Sequence, residues 1–357
     1  MPEKYCKIDG DIKQITAEYT KIDGVIKQGT VNYPKVDGVI KPVPVGEKTI
    51  FACEEFSNLL YAISDGQAVK DGWPQTESAP QVVACDDDGN SYWGDGSDVV
   101  CYDIAGTKKW TYSGHIGDIK SICVEPDAGA AGAYYVYAGD FAGSVSRLWS
   151  FNTTCILQWM QNIGASYAVY SLAVDHSAGF IYAGTGFAYD AVYGASVTTG
   201  NFTRRYISPY GDVTGLAIDE GTPDLYIGTG GGYLLRIGLN GYVYWGSAIC
   251  TNVEDVRVGH DGYGYCAMGA TKKIRKFVLS NGAAAWDANV GGTAHAVGCA
   301  PDEFGNVYGT FRVAGTSGDN VVRKLNSAGV EQWTWQPYVS AQFYGVAVTP
   351  GIKAAGF

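Results

Sequence analysis

The sequence predicts an all-β protein: a seven-bladed β-propeller with a split closing blade, preceded by three short tandem β-hairpin repeats. Gly and Tyr are abundant, at 49 and 26 of 357 residues, and Met is rare, which is typical of a chain rich in turns and strands. The first 46 residues repeat with a period of fourteen. From residue 49 the period becomes roughly 40–50 residues, the spacing of propeller blades.

The N-terminal repeat aligns four kinds of position in three units. These positions are Tyr5, Tyr19 and Tyr33; Lys7, Lys21 and Lys35; the pairs Asp9-Gly10, Asp23-Gly24 and Asp37-Gly38; and Ile12, Ile26 and Ile40. Asp-Gly suits a type I′ turn because both positions need positive φ, so each unit predicts a hairpin with one charged and one apolar face. Isolated hairpins are marginal in water, so we expect residues 1–48 to need a neighbour. A mobile arm is the alternative.

This segment resembles the short tandem lysine–valine–aspartate–glycine hairpin repeats of tailed-bacteriophage virion proteins, especially tail and fibre components. The resemblance covers about an eighth of the chain. It implies that the repeats dock the protein to a capsid or tail. The anchoring side chains would be Tyr5, Lys7, Tyr19, Lys21, Tyr33 and Lys35.

Residues 49–357 form the predicted propeller, in which each unit opens with an apolar strand and ends its fourth strand with an aromatic residue. The apolar strands begin near residues 82, 121, 171, 215, 256, 297 and 345. The aromatic residues are Trp73, Trp110, Trp159, Tyr206, Trp245, Trp286 and Trp333. A ring that recurs once per blade is predicted to wedge between neighbouring blades and to bury on the order of 200 Å². Stacking on a ligand is the alternative.

The seventh blade is predicted to be split between the two ends of the propeller. Residues 343–350 form a last strand with no following partners, and residues 49–73 supply strands with no preceding first strand. Joining them closes the ring and hides strand edges that would otherwise invite aggregation.

The blade pattern resembles the quinoprotein-like repeat propellers. The matching residues are Ile181-Tyr182-Ala183-Gly184-Thr185, and Leu239-Asn240-Gly241 followed by Trp245. One unit, with Gly114-His115 and Arg147-Leu148-Trp149-Ser150, is similar to the WD-repeat family, but its terminal Trp-Asp pair is missing. Both resemblances imply a fold and specify no function.

Charge and hydropathy exclude several classes of partner. Residues 1–48 carry eight Lys and seven Asp or Glu, which is a net charge of +1. Because the whole chain has a net charge of −11, residues 49–357 have a net charge of −12. Nucleic acid is therefore not expected as a partner, because phosphate binding needs a basic face. No apolar run approaches the roughly 18 residues of a membrane-spanning helix. The N-terminus lacks the apolar core of a signal peptide, so we expect synthesis in the host cytoplasm.

No catalytic residue, cofactor or metal site is predicted. The nine Cys form no CxxC pair, and Cys85, Cys123 and Cys299 fall in apolar strands as small buried thiols. Asp86-Asp87-Asp88-Gly89-Asn90 looks like part of a calcium loop but lacks the distant Glu of an EF-hand. Since Asp302–Asn306 occupies the equivalent place in another blade, a turn is the better interpretation.

Aromatic residues in propeller loops are candidates for surface recognition. They are Phe187, Tyr189, Asp190, Tyr206, Tyr210 and Tyr338. Tyr beside Asp or Asn is a composition that stacks on sugar rings and binds their hydroxyls. The alternative is that these rings plug the propeller or cover its core.

Together these observations predict a non-enzymatic bacteriophage virion protein, present in multiple copies. The repeats would dock it to other virion proteins of the capsid or tail. The propeller would project as a decoration, fibre or host-binding module, and a host-surface glycan or protein would be its further partner. The competing classes are a cellular propeller scaffold for protein–protein interaction and a quinoprotein-like or lyase-type enzyme.

Overall fold

A computed structural model describes the backbone at residues 4–8, 11–15, 20–22 and 25–27, and residues 48–349 except for short internal segments. These segments are residues 55–57, 115–116, 126–134, 144, 165–166, 176, 188–190, 220–221, 223, 290–293, 313–319 and 338–341. The description also excludes the side chains of Tyr167, Phe187, Arg204 and Arg205. In this part of the chain all regular structure is strand. The described part of the chain includes no helix of the length and apolarity needed to cross a bilayer.

The N-terminal unit contains two antiparallel hairpins. The first pairs β1 (Lys4–Ile8) with β2 (Asp11–Ile15), and the second pairs β3 (Thr20–Ile22) with β4 (Val25–Lys27). Ile8 lies opposite Asp11, and Ile22 lies opposite Val25, so two residues connect the strands in each case. Both hairpins were predicted, with Tyr5 and Lys7 on β1 and Lys21 on β3. Tyr19 and the third unit, with Tyr33 and Lys35, lie outside the described residues.

The propeller is a separate compact unit, Lys48–Pro350. It opens with β5 (Thr49–Glu54), β6 (Leu59–Ser64) and β7 (Gln75–Thr76). Blades 1 to 3 contain β8 (Pro80–Cys85), β9 (Ser91–Asp95), β10 (Asp98–Tyr102) and β11 (Lys108–Tyr112); β12 (Asp118–Val124), β13 (Tyr135–Phe141), β14 (Ser146–Asn152) and β15 (Leu157–Gly164); and β16 (Tyr167–Asp175), β17 (Phe180–Phe187), β18 (Ala191–Ser196) and β19 (Phe202–Ile207).

Blades 4 to 6 complete the series in the same order. They contain β20 (Val213–Asp219), β21 (Asp224–Thr229), β22 (Tyr233–Gly238) and β23 (Val243–Ala248); β24 (Val253–Val258), β25 (Tyr263–Met268), β26 (Lys273–Val278) and β27 (Ala284–Asn289); and β28 (His295–Pro301), β29 (Val307–Arg312), β30 (Val321–Leu325) and β31 (Glu331–Trp335). The last strand is β32 (Phe343–Val348).

Each blade is a four-stranded antiparallel sheet, and the seven blades form a closed ring. First strands contact the first strands of both neighbouring blades, so they surround the centre. Second strands such as β21 are buried along their whole length, because neighbouring blades cover both faces of the sheet. Fourth strands such as β23 are largely exposed at the outside. The predicted seven-bladed propeller is thereby confirmed.

The closing blade has the strand order β32-β5-β6-β7, as the split register predicted. Phe343 of β32 is fully buried against the rings of Tyr61 and Trp335. The fourth strand differs from the prediction, which ended it at Trp73, after residues 68–72. Those residues make a single bridge, Ile63 to Val69, and then turn, so β7 begins only after the cis Trp73-Pro74 peptide.

A tyrosine occupies the same buried position in the second strand of six blades. These residues are Tyr92, Tyr137, Tyr182, Tyr226, Tyr265 and Tyr308, each at most 1% exposed. Phe51 takes this position in the closing blade. Such large rings at one register explain much of the inter-blade core, since each ring contributes extensive apolar burial.

The recurring tryptophans lie between blades, as predicted. The indole of Trp110, for example, packs against Tyr92 of its own blade and donates its Nε1–H to the Thr153 carbonyl of the next blade, at 2.8 Å. In five blades the tryptophan is the third residue of the fourth strand, whereas the prediction placed it at the end of that strand. Tyr206 was wrongly aligned with this series. Strand pairing places Arg204 there, because Arg204 lies opposite Gly194 as Trp110 lies opposite Cys101.

Candidate functional site

The centre of the propeller is a channel with a volume of about 850 Å³, lined by first strands of all seven blades. These strands pair on one side only, within their own blade. Their free edges therefore face the channel. Residues separated by up to several hundred positions in the sequence meet there.

Every first strand carries an irregularity at the same level of the channel. A register shift in each first-to-second strand pairing leaves extra residues on the first strand. A bulged residue has no partner opposite it, and its side chain is redirected. The bulge ring, as we name this set, consists of Gln81, Lys120, Tyr170, Thr214, Glu254, Val297 and Tyr344.

The cationic part of the bulge ring is Lys120. Its Nζ donates to Gln81 Oε1 at 2.8 Å and lies 3.2 Å from Asp118 Oδ2. The neighbouring blade thus helps to hold the ammonium group at the channel wall. Two acceptors fix its position, while 24% of its side chain stays exposed to solvent.

The acidic part of the bulge ring is Glu254, which lies across the ring from Lys120. Asn252 Nδ2 donates to Glu254 Oε1 at 2.6 Å. Burial raises the pKa of the Glu254 carboxyl, and the nearby Arg312 opposes the shift. The carboxylate approaches the backbone of Gly269 so closely that a Cβ there would lie 2.8 Å from Oε1. A side chain at position 269 would therefore displace the Glu254 carboxylate from this arrangement.

Two tyrosines bring aromatic faces to the channel. Burial raises the pKa of Tyr170 to about 12, and the Asp212 carboxylate adds to this rise. Tyr344 lies beneath the Arg312 guanidinium, 4.7 Å from its ring centroid. This geometry is a cation–π contact. The channel therefore combines aromatic faces with charged groups of both signs.

Arg257 supplies a further cation at a position that small residues occupy in the other blades. The equivalent residues, each opposite the second-strand Tyr or Phe, are Ala84, Cys123, Ala173, Ala217, Ala300 and Ala347. The Arg257 side chain is 39% exposed, and its Nε lies 3.3 Å from Asp255. Burial raises the pKa of Cys123 to about 12, and the Arg257 charge opposes that rise from across the channel.

Of the predicted surface-recognition residues, the structure describes the side chains of Tyr206 and Tyr210, and neither lines this channel. Tyr206 and Tyr210 are partly buried between blades 3 and 4, and Tyr210 stacks on Tyr233 with ring centroids 4.2 Å apart. The side chain of Phe187 and residues Tyr189, Asp190 and Tyr338 lie outside the described part. A recognition role for these residues stays a prediction.

Sequence analysis missed the channel residues, although a signal for them exists. Five of the seven bulged residues directly precede the apolar run that marks a blade, as Lys120 precedes the run at 121, whereas Glu254 lies two residues before the run at 256 and Val297 is the first residue of its run. Aligning the seven runs would have placed these residues within one position of a common register. Their inward position follows only from the bulge.

The acidic Asp86–Asn90 stretch is a turn, as predicted. The Asp86 carboxylate accepts hydrogen bonds from the Asn90 backbone N–H at 2.8 Å and the Tyr92 hydroxyl at 2.9 Å. Asp302 caps the equivalent turn of blade 6. Among the described residues no group of three or more His, Cys, Asp and Glu is placed to hold a metal ion. The eight described cysteines are free thiols.

Comparison with known proteins adds a structural likeness. No protein-family model and no curated protein sequence matches this chain. A similar solved structure is the crystal structure of a protein of unknown function from Bacteroides caccae, with a TM-score of 0.51 and 11% identity. The alignment covers 85% of this chain and 99% of that one. The likeness shows the propeller fold alone, the body that the blade pattern shares with quinoprotein-like repeats.

Proposed function

We propose that this chain is a non-enzymatic component of a bacteriophage virion, made in the host cytoplasm. Its N-terminal hairpins would attach it to the capsid or tail, and its propeller would bind a host-surface glycan at the channel. The observation that carries the proposal is the N-terminal repeat, which presents Tyr, Lys and Ile at a constant period of fourteen.

Repetition at the N-terminus suits attachment to an assembly. The two described units share the same antiparallel pairing and the same two-residue connection. Equivalent hairpins offer equivalent contacts, and weak contacts in series multiply through effective concentration. Loss of one unit should therefore reduce attachment far more than by a third.

The chemistry of the channel supports a polar, ring-shaped ligand. Tyr170 and Tyr344 offer aromatic faces, which stack on the apolar face of a sugar. Lys120 donates hydrogen bonds and Glu254 accepts them, as the recognition of hydroxyl groups requires. A few polar groups placed around a concave site are typical of small-ligand pockets.

The attachment is tested with the two regions separately. We expect residues 47–357 to form a soluble, cooperatively folded domain that fails to enter particles, because its strand register begins at Thr49. A fusion of residues 1–46 to an unrelated carrier should be incorporated. Mass spectrometry of purified particles gives the copy number of each. Normal incorporation of the propeller alone, with exclusion of the fusion, contradicts the attachment role.

The binding site is tested with isolated propeller and polysaccharide purified from the host surface. Glu254→Gln and Lys120→Ala should each weaken binding about tenfold, since each removes a charge-assisted hydrogen bond. The matched control is Lys109→Ala, which removes an exposed lysine of the outer strand β11. Equal binding by all variants would exclude the channel as the site. A propeller that binds cell proteins in uninfected cells and never enters particles would favour the scaffold class.

A further inference from the structure

Blade 5 carries two charged residues at positions that are uncharged in the other six blades. At the position of Arg257, five first strands have alanine and one has Cys123. Two positions earlier, Asp255 stands where the other first strands have valine, serine or glycine. The residue between these positions and the residue after Arg257 are uncharged in all seven first strands. Over this stretch, Asp255 and Arg257 are therefore the charged groups of the channel-lining strands.

Asp255 has a role in the ring that Arg257 lacks. Asp255 Oδ2 accepts a hydrogen bond from the Cys299 N–H of blade 6, at 3.1 Å. At the same position of blade 2, Ser121 Oγ donates to the Val169 carbonyl of blade 3, at 2.7 Å. Both side chains join one blade to the next. No other blade has a counterpart of the Arg257 side chain, so the repeated architecture does not explain it.

The guanidinium group of Arg257 extends from the wall into the channel. Burial raises the pKa of three thiols, and the charge of this guanidinium opposes each rise; the thiols are Cys85, Cys123 and Cys299. They belong to blades 1, 2 and 6, whereas Arg257 belongs to blade 5. Electrostatic interactions weaken with distance, so a charge that acts on three other blades lies within the channel.

Most of the hydrogen-bonding capacity of Arg257 is unused. Its Nε donates to Asp255 Oδ2 at 3.3 Å, which is long for a hydrogen bond of this kind. Within the part of the chain that the structure describes, its terminal NH2 groups have no hydrogen-bond partner. The side chain is 39% exposed to solvent. Because an ion pair of this kind adds little stability, folding gives no reason for the arginine.

We propose that Arg257 binds an anionic group, a carboxylate or a phosphate, on the ligand of the channel. This inference rests on the proposed function and narrows it, since the host-surface glycan would then be acidic. The planar terminal NH2 groups of a guanidinium match the paired oxygens of a carboxylate or phosphate. Glu254 lies three residues earlier on β24, about 10 Å along the strand. The bulge ring and Arg257 therefore contact different parts of one ligand.

The size and charge of the propeller are compatible with an acidic ligand. The channel volume of about 850 Å³ falls within the range of roughly 300–1,000 Å³ that is usual for small-ligand sites. Residues 49–357 have a net charge of −12, which repels a polyanion at long range. Screening removes most of this repulsion beyond about 8 Å at physiological ionic strength, so the local contact with Arg257 decides binding.

The test uses the full chain and three sugars that differ in one group, measured by isothermal titration calorimetry. The probes are methyl β-D-glucoside, the corresponding glucuronide and the corresponding 6-phosphate. At least one charged sugar should bind about tenfold or more tightly than the glucoside, because it adds a charge-assisted hydrogen bond. The tighter of the two identifies the anionic group. Equal binding of all three sugars, or binding of none, overturns the proposal.

Two variants locate the preference for a charged sugar. Arg257→Ala introduces the residue that five other blades carry at this position, so the fold and the melting temperature should be retained while the preference is lost. The matched control is Arg147→Ala, which removes an arginine of β14 that does not line the channel. This control should keep the preference. A preference that survives in Arg257→Ala overturns the proposal.

The results also separate this inference from the proposed function. Binding of a charged sugar through Arg257, without binding of host polysaccharide, supports the anionic site and contradicts the host-glycan proposal. Polysaccharide binding that Glu254→Gln weakens and Arg257→Ala leaves unchanged supports the channel as the glycan site and overturns the anionic site.

Discussion

Deleting residues 343–357 removes β32 and reopens the ring at the closing blade. The deletion leaves β5, an internal strand of that blade, with an unpaired edge toward the channel. It also removes the Thr349 N–H bond to the Thr49 carbonyl, at 3.0 Å. The matched control deletes residues 351–357 only, which lie beyond the propeller unit.

The loss of stability can be derived from the contacts of β32. Phe343 is fully buried and Val346 is 4% exposed, and burial of such side chains stabilises by about 1.5–3 kcal/mol each. The ladder with β5 adds about 0.5–1.5 kcal/mol for each hydrogen bond. The total is on the order of 5–10 kcal/mol, comparable with the whole unfolding free energy of a typical domain. The truncated chain should therefore not fold cooperatively, and its free edge should promote aggregation.

The assay is urea denaturation followed by circular dichroism, with light scattering to detect aggregates. The control lacking residues 351–357 should unfold at the same midpoint as the full chain. If the chain lacking 343–357 also unfolds at that midpoint, with the same dependence on urea, β32 is not needed for closure. The seven-blade register and the energies assigned to it would then be wrong.

Three further predictions concern single sites. In urea denaturation, Trp286→Phe should lower the free energy of unfolding by about 1–3 kcal/mol more than Trp333→Phe does. The reason is that Trp286 Nε1–H donates a hydrogen bond, whereas Trp333 Nε1 is buried without a hydrogen-bond partner. Equal losses of unfolding free energy would contradict this prediction. The pKa of Glu254 is raised in the folded state, so its stabilising effect is complete below the unfolded pKa and is lost as pH rises through the folded pKa. Relative to wild type, Glu254→Gln should gain stability as the pH rises above about 4, and a stability difference that does not change with pH contradicts this prediction. Millimolar calcium should leave the melting temperature unchanged because Asp86 and Asp302 cap turns; a rise of several degrees would indicate a bound metal.

The interval between turn and tryptophan shows where sequence comparison succeeded and where it failed. Counting four residues from the turn glycines Gly241 and Gly282 reaches Trp245 and Trp286. The same count from Gly200 reaches Arg204. The sequence pattern pointed to Tyr206 instead, because Tyr206 is the nearest aromatic residue and lies only two residues after Arg204. Composition does not distinguish an aromatic side chain at the blade boundary from one two residues later. Strand pairing settles the register.

The amino-acid sequence by itself determined the number of blades, the split closing blade and the two described N-terminal hairpins. These features depend on local patterns: alternating strands, turn residues and a ring that recurs once per blade. Each pattern is contained within one repeat and is multiplied along the chain, so it is visible without coordinates.

The tertiary structure alone decided which residues form the candidate site. The channel brings together Lys120, Glu254 and Tyr344 from three different blades. Side chains reach the channel because a bulge adds a residue to each first strand, and a bulge leaves no distinct mark in composition. The channel depends on contacts between repeats, which form only when the ring closes.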